Sequence, residues 1–315
     1  MSWPQLLSML VATAVATTAN TSPSPLPADP AQPEHIALEN ERNDRVTVPV
    51  TIKGTGPYQF MVDTGAQATV VSSALADRLG LTERKQAMLV GLASTESVET
   101  AEIADFGLGS RQFDIRVAPI LPAENLGGAD GILGLDSLQD QRVLIDFVQN
   151  KILVADARTL GGNRGYEIIV KARRKLGQLI ITNARVNGID TDVIIDTGSQ
   201  GSVGNMALLD RLRQAAGLGQ DTMTDVNGKE LTAAVKIGRT VQIDDITLNS
   251  IPILFADAPP FKALGLDKAP ALILGINELK LFRRVAIDFD KRQVLFDLPS
   301  DVRENDDAVL TRVFS

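Results

Sequence analysis

The sequence predicts an all-β protein built as two copies of one unit, and three observations carry that prediction. The stretch "FMVDTGAQATV" at residues 60–70 is matched by "VIIDTGSQGSV" at 193–203. A second matched pair follows each copy at a similar distance, "GILGLDSL" at 131–138 and "LILGINEL" at 272–279. Between these landmarks the chain runs in short, β-branched, alternating segments separated by Gly, Pro and Asn-Gly turns, the pattern of half-buried strands.

The first 30 residues stand apart. An apolar stretch from Leu6 to Ala16, followed by small residues, predicts a signal peptide over 1–20 and export to the periplasm or the medium. It is too short to span a bilayer as a stable helix, although an uncleaved copy would tether the chain to a membrane. Residues 21–40 are a Pro/Ser-rich linker that lacks the apolar surface needed to fold.

The first unit is expected over 41–161 and the second over 165–300, with boundary composition at "GGNRGY" (161–166). In the first, "RVTVPVTI" (45–52) is a strand, and "KGTGPYQF" supplies a Gly/Pro turn into a strand that ends at Asp63. In the second, "GQLIITNARVNGIDTDVIID" forms two strands joined at Asn187-Gly188, a strong hairpin signal, and ends at Asp196. A short helix follows each site, in "SSALADRLG" and in "NMALLDRLRQAAG". Next come two hairpin-like segments, "QAMLVGLASTESVETAEI" and "TMTDVNGKELTAAVKI". The recurring Asp146 and Asp288, late on strands, read as structural polar contacts, and "KARRK" (171–175) as a solvated turn. The last residues, 301–315, read equally as a strand or a tail.

Composition removes several chemistries. With no Cys, thiol catalysis and thiolate metal sites are impossible. The single His, His35, lies in the Pro-rich linker, so neither a Ser-His-Asp triad nor a zinc site is expected, and no cofactor is called for. A net charge of −8 argues against nucleic acid as a partner, and 4% aromatic content argues against a sugar-stacking glycosidase cleft.

A lone Asp-Thr-Gly is an ordinary turn. Two in one frame, each after an apolar strand, point to a shared site holding two carboxylates. Asp63 and Asp196 supply the acids. Gly65 and Gly198 permit close backbone approach where a Cβ would clash, and the Thr64 and Thr197 hydroxyls can bond to backbone and lock the loops. Ala66 and Ser199 complete the two turns. Like charges at close range cannot both ionise readily, so the pair would hold one proton and could activate a water.

These paired motifs resemble retropepsin-like aspartic proteases, over both halves from about Val46 to Phe296. The resemblance implies two β-barrel lobes in pseudo-symmetric arrangement, catalysis by Asp63 and Asp196, and loops braced by Thr64 and Thr197. It also implies that Ile132-Leu133-Gly134 and Ile273-Leu274-Gly275 pass beside those loops. The expected function is an aspartic endopeptidase acting on an extended peptide or protein, as a monomer with an internal pseudo-dimer. The alternative is an inactive peptide-binding module that keeps the fold. No tyrosine lies in either hairpin segment, a departure from pepsin-type relatives. Gly91 is a candidate tip of the covering flap, whereas Asn227-Gly228 reads as an ordinary hairpin; the sequence leaves open which segment covers the cleft.

Overall fold

The computed structural model describes residues 9–11, 47–212, 217–300 and 308–311. Strands dominate, and the α-helices among the described residues are single turns of four to six residues. None is long and apolar enough to cross a membrane. Most of the expected signal peptide and all of the 21–40 linker fall outside the described residues. Of the former, Met9–Val11 is a strand paired with Lys85–Gly91.

Six strands close into a barrel in the first half. Around it run Thr95–Leu108, Thr47–Ile52, Thr55–Val62, Gly131–Leu133, Val70–Ser72 and Arg111–Leu121, which returns to Thr95–Leu108. The second half repeats the circuit with Glu230–Ile243, Gln178–Val186, Ile189–Ile195, Ala271–Leu274, Ser202–Gly204 and Ile246–Phe255, closed by the pairing of Gln178–Val186 with Glu230–Ile243. Closure leaves these strands without open edges. Within each barrel the strand ending at Asp-Thr-Gly runs parallel to the strand that carries Ile-Leu-Gly. Val62 lies opposite Leu133, and Ile195 opposite Leu274. Phe60, Met61 and Val62 are buried in succession, as are Val193, Ile194 and Ile195. Strands covered on both faces read as continuous apolar runs, which explains why these segments do not alternate. Phe60 also meets Phe106 edge-on, with ring centroids 5.5 Å apart, worth about 0.5–1.5 kcal/mol beyond the area buried.

A third, five-stranded sheet joins the halves, in the order Lys151–Ala155, Arg142–Asp146, Arg284–Asp288, Gln293–Asp297 and Ile168–Lys171. Arg142–Asp146 and Arg284–Asp288 are equivalent strands of the duplication, and they pair antiparallel about Leu144↔Ala286. Those two residues are equivalent to each other, so a local twofold axis passes between them. Arg142 then faces Asp288, while Arg284 faces Asp146. Arg142 is wholly buried and binds Asp288 Oδ2 through Nε (3.1 Å) and Nη2 (2.6 Å), with further bonds to Asn163 Oδ1 (2.7 Å) and the Gly162 carbonyl. Arg284 reaches the Gly165 carbonyl at 2.8 Å. The Gly-rich stretch between the halves is thus bonded to the shared sheet through both arginines. Asp146 and Asp288 also accept backbone N–H groups of their following turns, a structural role.

One local expectation is corrected. The "KARRK" run is not a solvated turn: Lys171 ends one strand and Arg173–Lys175 forms another, with Arg173 bound to Asp192 at 2.7 Å. Its charges decorate the edges of two sheets that meet at Ala172. The first hairpin turns at Lys53-Gly54, both with positive φ, and Gly56-Pro57 lies within the second strand beside a bulge. Near the C-terminus, Ala308–Thr311 is a strand parallel to Ile246–Phe255.

Removing one member of a buried ion pair strands the other in a poorly solvating interior, at a cost of roughly 3–5 kcal/mol. Arg142→Leu is expected to lower unfolding free energy by about that amount, measured by urea denaturation, whereas Arg185→Leu, on an exposed pair with Asp190, should cost about 1 kcal/mol or less.

Candidate active site

Each Asp-Thr-Gly loop is fixed by its own barrel before it meets the other. The Asp63 N–H donates to the Leu133 carbonyl and the Asp196 N–H to the Leu274 carbonyl, both at 3.0 Å. One turn later Leu135 N–H bonds Ala66 O, and Ile276 N–H bonds Ser199 O, both at 2.8 Å. Ile132-Leu133-Gly134 and Ile273-Leu274-Gly275 therefore line the loops on equivalent sides. Gly134 and Gly275 pass so close that a Cβ would lie 2.4 Å from the Ala68 carbonyl and 2.5 Å from the Gly201 carbonyl oxygen. A side-chain bond repeats the brace. Thr69 Oγ1 donates to Asp136 at 2.6 Å, and at the equivalent place Ser202 Oγ donates to Glu278 at 2.6 Å.

The loops then grip each other. Thr64 N–H donates to Thr197 Oγ1, and Thr197 N–H to Thr64 Oγ1, each at 3.1 Å. The hydroxyls pass the contact on, Thr64 to the Ile195 carbonyl (2.9 Å) and Thr197 to the Val62 carbonyl (2.8 Å). Neither hydroxyl points into a cleft; both span the join between lobes.

This grip sets the two carboxylates face to face. A Cβ built on Gly65 would sit 2.4 Å from Asp196 Cγ, and one on Gly198 would sit 2.2 Å from Asp63 Oδ2. Each glycine leaves the space that the opposite acid occupies. Asp63 is 0% and Asp196 1% exposed. The inner oxygens are well satisfied: Asp63 Oδ1 accepts from the N–H groups of Gly65 (2.7 Å) and Ala66 (3.0 Å), and Asp196 Oδ1 from those of Gly198 (2.9 Å) and Ser199 (3.1 Å). Asp63 Oδ2 is buried and faces no N–H or O–H donor among the described residues. Beside it lies the Asp196 carboxyl, and two carboxyls can hydrogen-bond only when one of them carries a proton. Burial, and after it the neighbouring Asp196 charge, raise the Asp63 pKa well above its ordinary value despite the two N–H groups that oppose the shift. Ser199 Oγ bonds Gly201 O at 2.8 Å, and Ala66 has no hydroxyl, so the outer oxygen of Asp63 is not held from its own loop.

Gly91 lies at the turn between Lys85–Gly91 and Thr95–Leu108, and the tip of this hairpin meets the tip of the second half's hairpin at Asp225 and Asn227. Asn227-Gly228 turns a hairpin, as expected, and its tip also touches the first lobe, with Gly228 close to Asn125. Sequence reasoning also missed Gln178, buried, whose Nε2 donates to the Gly65 carbonyl at 2.6 Å from the opposite lobe. Nothing in the duplication signals it, because its bond runs to the other half. A groove of about 640 Å³ opens beside the first loop, lined by Gln67, Ala68, Ala87, Leu135, Arg174 and Leu176 among others, and thus by both lobes.

Thr64→Val would deprive Thr197 N–H of its acceptor and the Ile195 carbonyl of its donor. With about 1–3 kcal/mol per stranded buried group, urea denaturation should show a loss of roughly 2–4 kcal/mol, and Thr64→Ser should recover most of it. An acid with a raised native pKa holds its proton more tightly when folded. Its contribution therefore favours the fold at low pH and is lost as pH rises from the unfolded value of 3.8 through the native one. Asp63→Asn removes this loss: its stability relative to the parent should climb as pH rises above about 3.8, and level off once the native carboxyl has ionised, as urea denaturation across a pH series would show.

A family model described as aspartyl protease matches residues 48–137 and again 182–277. Comparison with curated proteins gives no match. Each matched region contains one Asp-Thr-Gly loop and the Ile-Leu-Gly strand beside it, and together they span more than half of the chain; this protein belongs to the aspartyl protease family.

Proposed function

We propose that the protein is an aspartic endopeptidase in which Asp63 and Asp196 together hydrolyse the peptide bond of an extended substrate. The observation that carries this reading is the crossed approach of each carboxylate to the other loop's glycine, which sets two acids in one buried place with room for one shared proton. In the proposed mechanism the ionised member takes a proton from a water between them. The water oxygen attacks the carbonyl carbon while the protonated member donates to the carbonyl oxygen, and proton return to the amide nitrogen then releases the two products. The raised pKa of Asp63 suits it to be the acid that holds the proton. Thr64, Thr197 and the Ile-Leu-Gly strands act as positioning residues that keep both acids aligned.

Two features support a peptide as ligand. Gln67 and Gln139 line the groove, and the side-chain nitrogen of each is buried without a partner. Peptide carbonyls would satisfy such donors. The hairpin strand that contributes Ala87 to the groove wall offers backbone for strand-like pairing. One chain supplies both loops, so a monomer would suffice. Export, suggested by the apolar Leu6–Ala16 run, belongs to the same proposal.

The near-zero exposure of both acids favours a second reading, a module that binds peptide without cleaving it. Mixed peptide substrates offered at acid and at neutral pH separate the two. Under the protease reading Asp63→Asn and Asp196→Asn each lose on the order of 10³-fold in kcat/KM, in line with loss of a general acid or base. A parent that cleaves no faster than either variant would leave the binding module.

A further inference from the structure

The two hairpin tips meet over the acids and exchange apolar side chains. Leu92, from the first lobe's tip, is fully buried in a cluster with Ile180, Ile194 and Ile273 of the second lobe. Val226, from the second lobe's tip, is fully buried in a cluster with Met61, Ala66 and Ile132 of the first. Both clusters adjoin the catalytic loops, which explains why neither acid is reachable by solvent. A substrate cannot touch them until the tips part.

The polar part of the hold between the tips is one-sided. Asp225, 1% exposed, lies at the second tip. Its Oδ1 accepts the N–H groups of Asn227 and Lys229, both at 3.0 Å, and so forms its own turn. Its Oδ2 crosses to the first tip, where it accepts from Ser94 Oγ at 2.7 Å and Ala93 N–H at 3.1 Å. Asn227 Nδ2 returns the contact to Ser94 Oγ at 2.9 Å. Gly91 fits this carboxylate closely: a Cβ there would lie 2.3 Å from Asp225 Oδ2. On the exposed flank, Lys229 Nζ stands 3.6 Å from Glu96. Hydrogen bonds to a carboxylate are stronger than neutral ones, and here they are shielded from water.

We propose that Asp225 is the clasp of a two-hairpin gate: its carboxylate ties the first lobe's tip to the second and so regulates admission of peptide to the Asp63–Asp196 pair. Only the admission arm of this proposal rests on the protease reading. The clasp itself is a property of the free protein. The apparent affinity of a ligand falls by the fraction of molecules that are open, so loosening the clasp speeds entry without altering the acids.

Two substitutions loosen it without touching the second lobe's turn. Gly91→Ala directs a methyl group into Asp225 Oδ2 at a residue with no positive φ to forbid it, and Ser94→Ala deletes the hydroxyl that both Asp225 and Asn227 contact. Amide hydrogen exchange on the full chain is the first readout. In either variant, exchange at 91–95 and 225–229 should rise tenfold or more, the scale expected for losing a charge-assisted bond, while 142–146 and 284–288 stay protected. Ser94→Ala combined with Gly91→Ala should raise exchange by less than the product of the two single effects, because both act on the contact at Asp225 Oδ2. The second readout is stopped-flow association of a peptide isostere carrying a tetrahedral hydroxyl at the scissile position, which should be several-fold faster in both variants. Unchanged exchange at the tips, or a rise spread equally through the central strands, would overturn the clasp. Faster exchange with unaltered association would overturn its control of entry. An isostere that binds neither parent nor variants would instead count against the protease reading, and exchange alone would then decide the clasp.

Discussion

Two carboxylates buried against each other repel, and this protein is arranged to make that repulsion tolerable. Their inner oxygens are satisfied by backbone N–H groups of their own loops, which leaves the outer edges to face one another, and burial beside Asp196 raises the Asp63 pKa. Such an arrangement needs a backbone that does not recoil. The reciprocal Thr64–Thr197 bonds provide it by tying each loop to the strand of the opposite lobe. The barrels, the Ile-Leu-Gly strands and the shared sheet are successive supports for that one contact.

The shared sheet shows how a distant element sets the geometry. Its register about Leu144 and Ala286 fixes where the twofold lies, and the two loops must obey the same axis. A slip of one residue there would turn every side chain of the strand to the other face. Arg142 guards against slippage, since its guanidinium reaches Asp288 only in the observed register, and Asn163 and Gly162 complete its shell. The stretch between the halves looks in sequence like a flexible boundary. In the fold it is a set of oxygen acceptors for buried and half-buried arginines.

Much of the site was legible because duplication prints each constraint twice. Asp63 and Asp196, their glycines, and the two Ile-Leu-Gly segments recur in frame, and the close approaches that demand glycine at 65 and 198 explain why. Strands were readable where they carried apolar runs. The "KARRK" segment misled because charge on a sheet edge looks like charge on a turn. Gln178 and Asp225 were invisible for a different reason. Each acts across the join on a residue of the other half, and no periodicity within one half records a contact between halves. The first hairpin turns inside the expected "KGTGPYQF" segment, at Lys53-Gly54, and leaves the proline within a bulged strand.

The hairpin tips depart from the symmetry that governs the acids. One presents a carboxylate; the other presents a hydroxyl, an amide and a glycine that makes room. In an assembly of two identical chains a twofold axis would make every contact between the tips occur twice, so one tip could not carry the carboxylate alone. Fusing the copies frees the covering parts to become lock and key while the chemistry beneath stays matched. Inheritance of both halves on one polypeptide therefore allows entry to be tuned by editing one tip, with no compensating change required in the pair it guards.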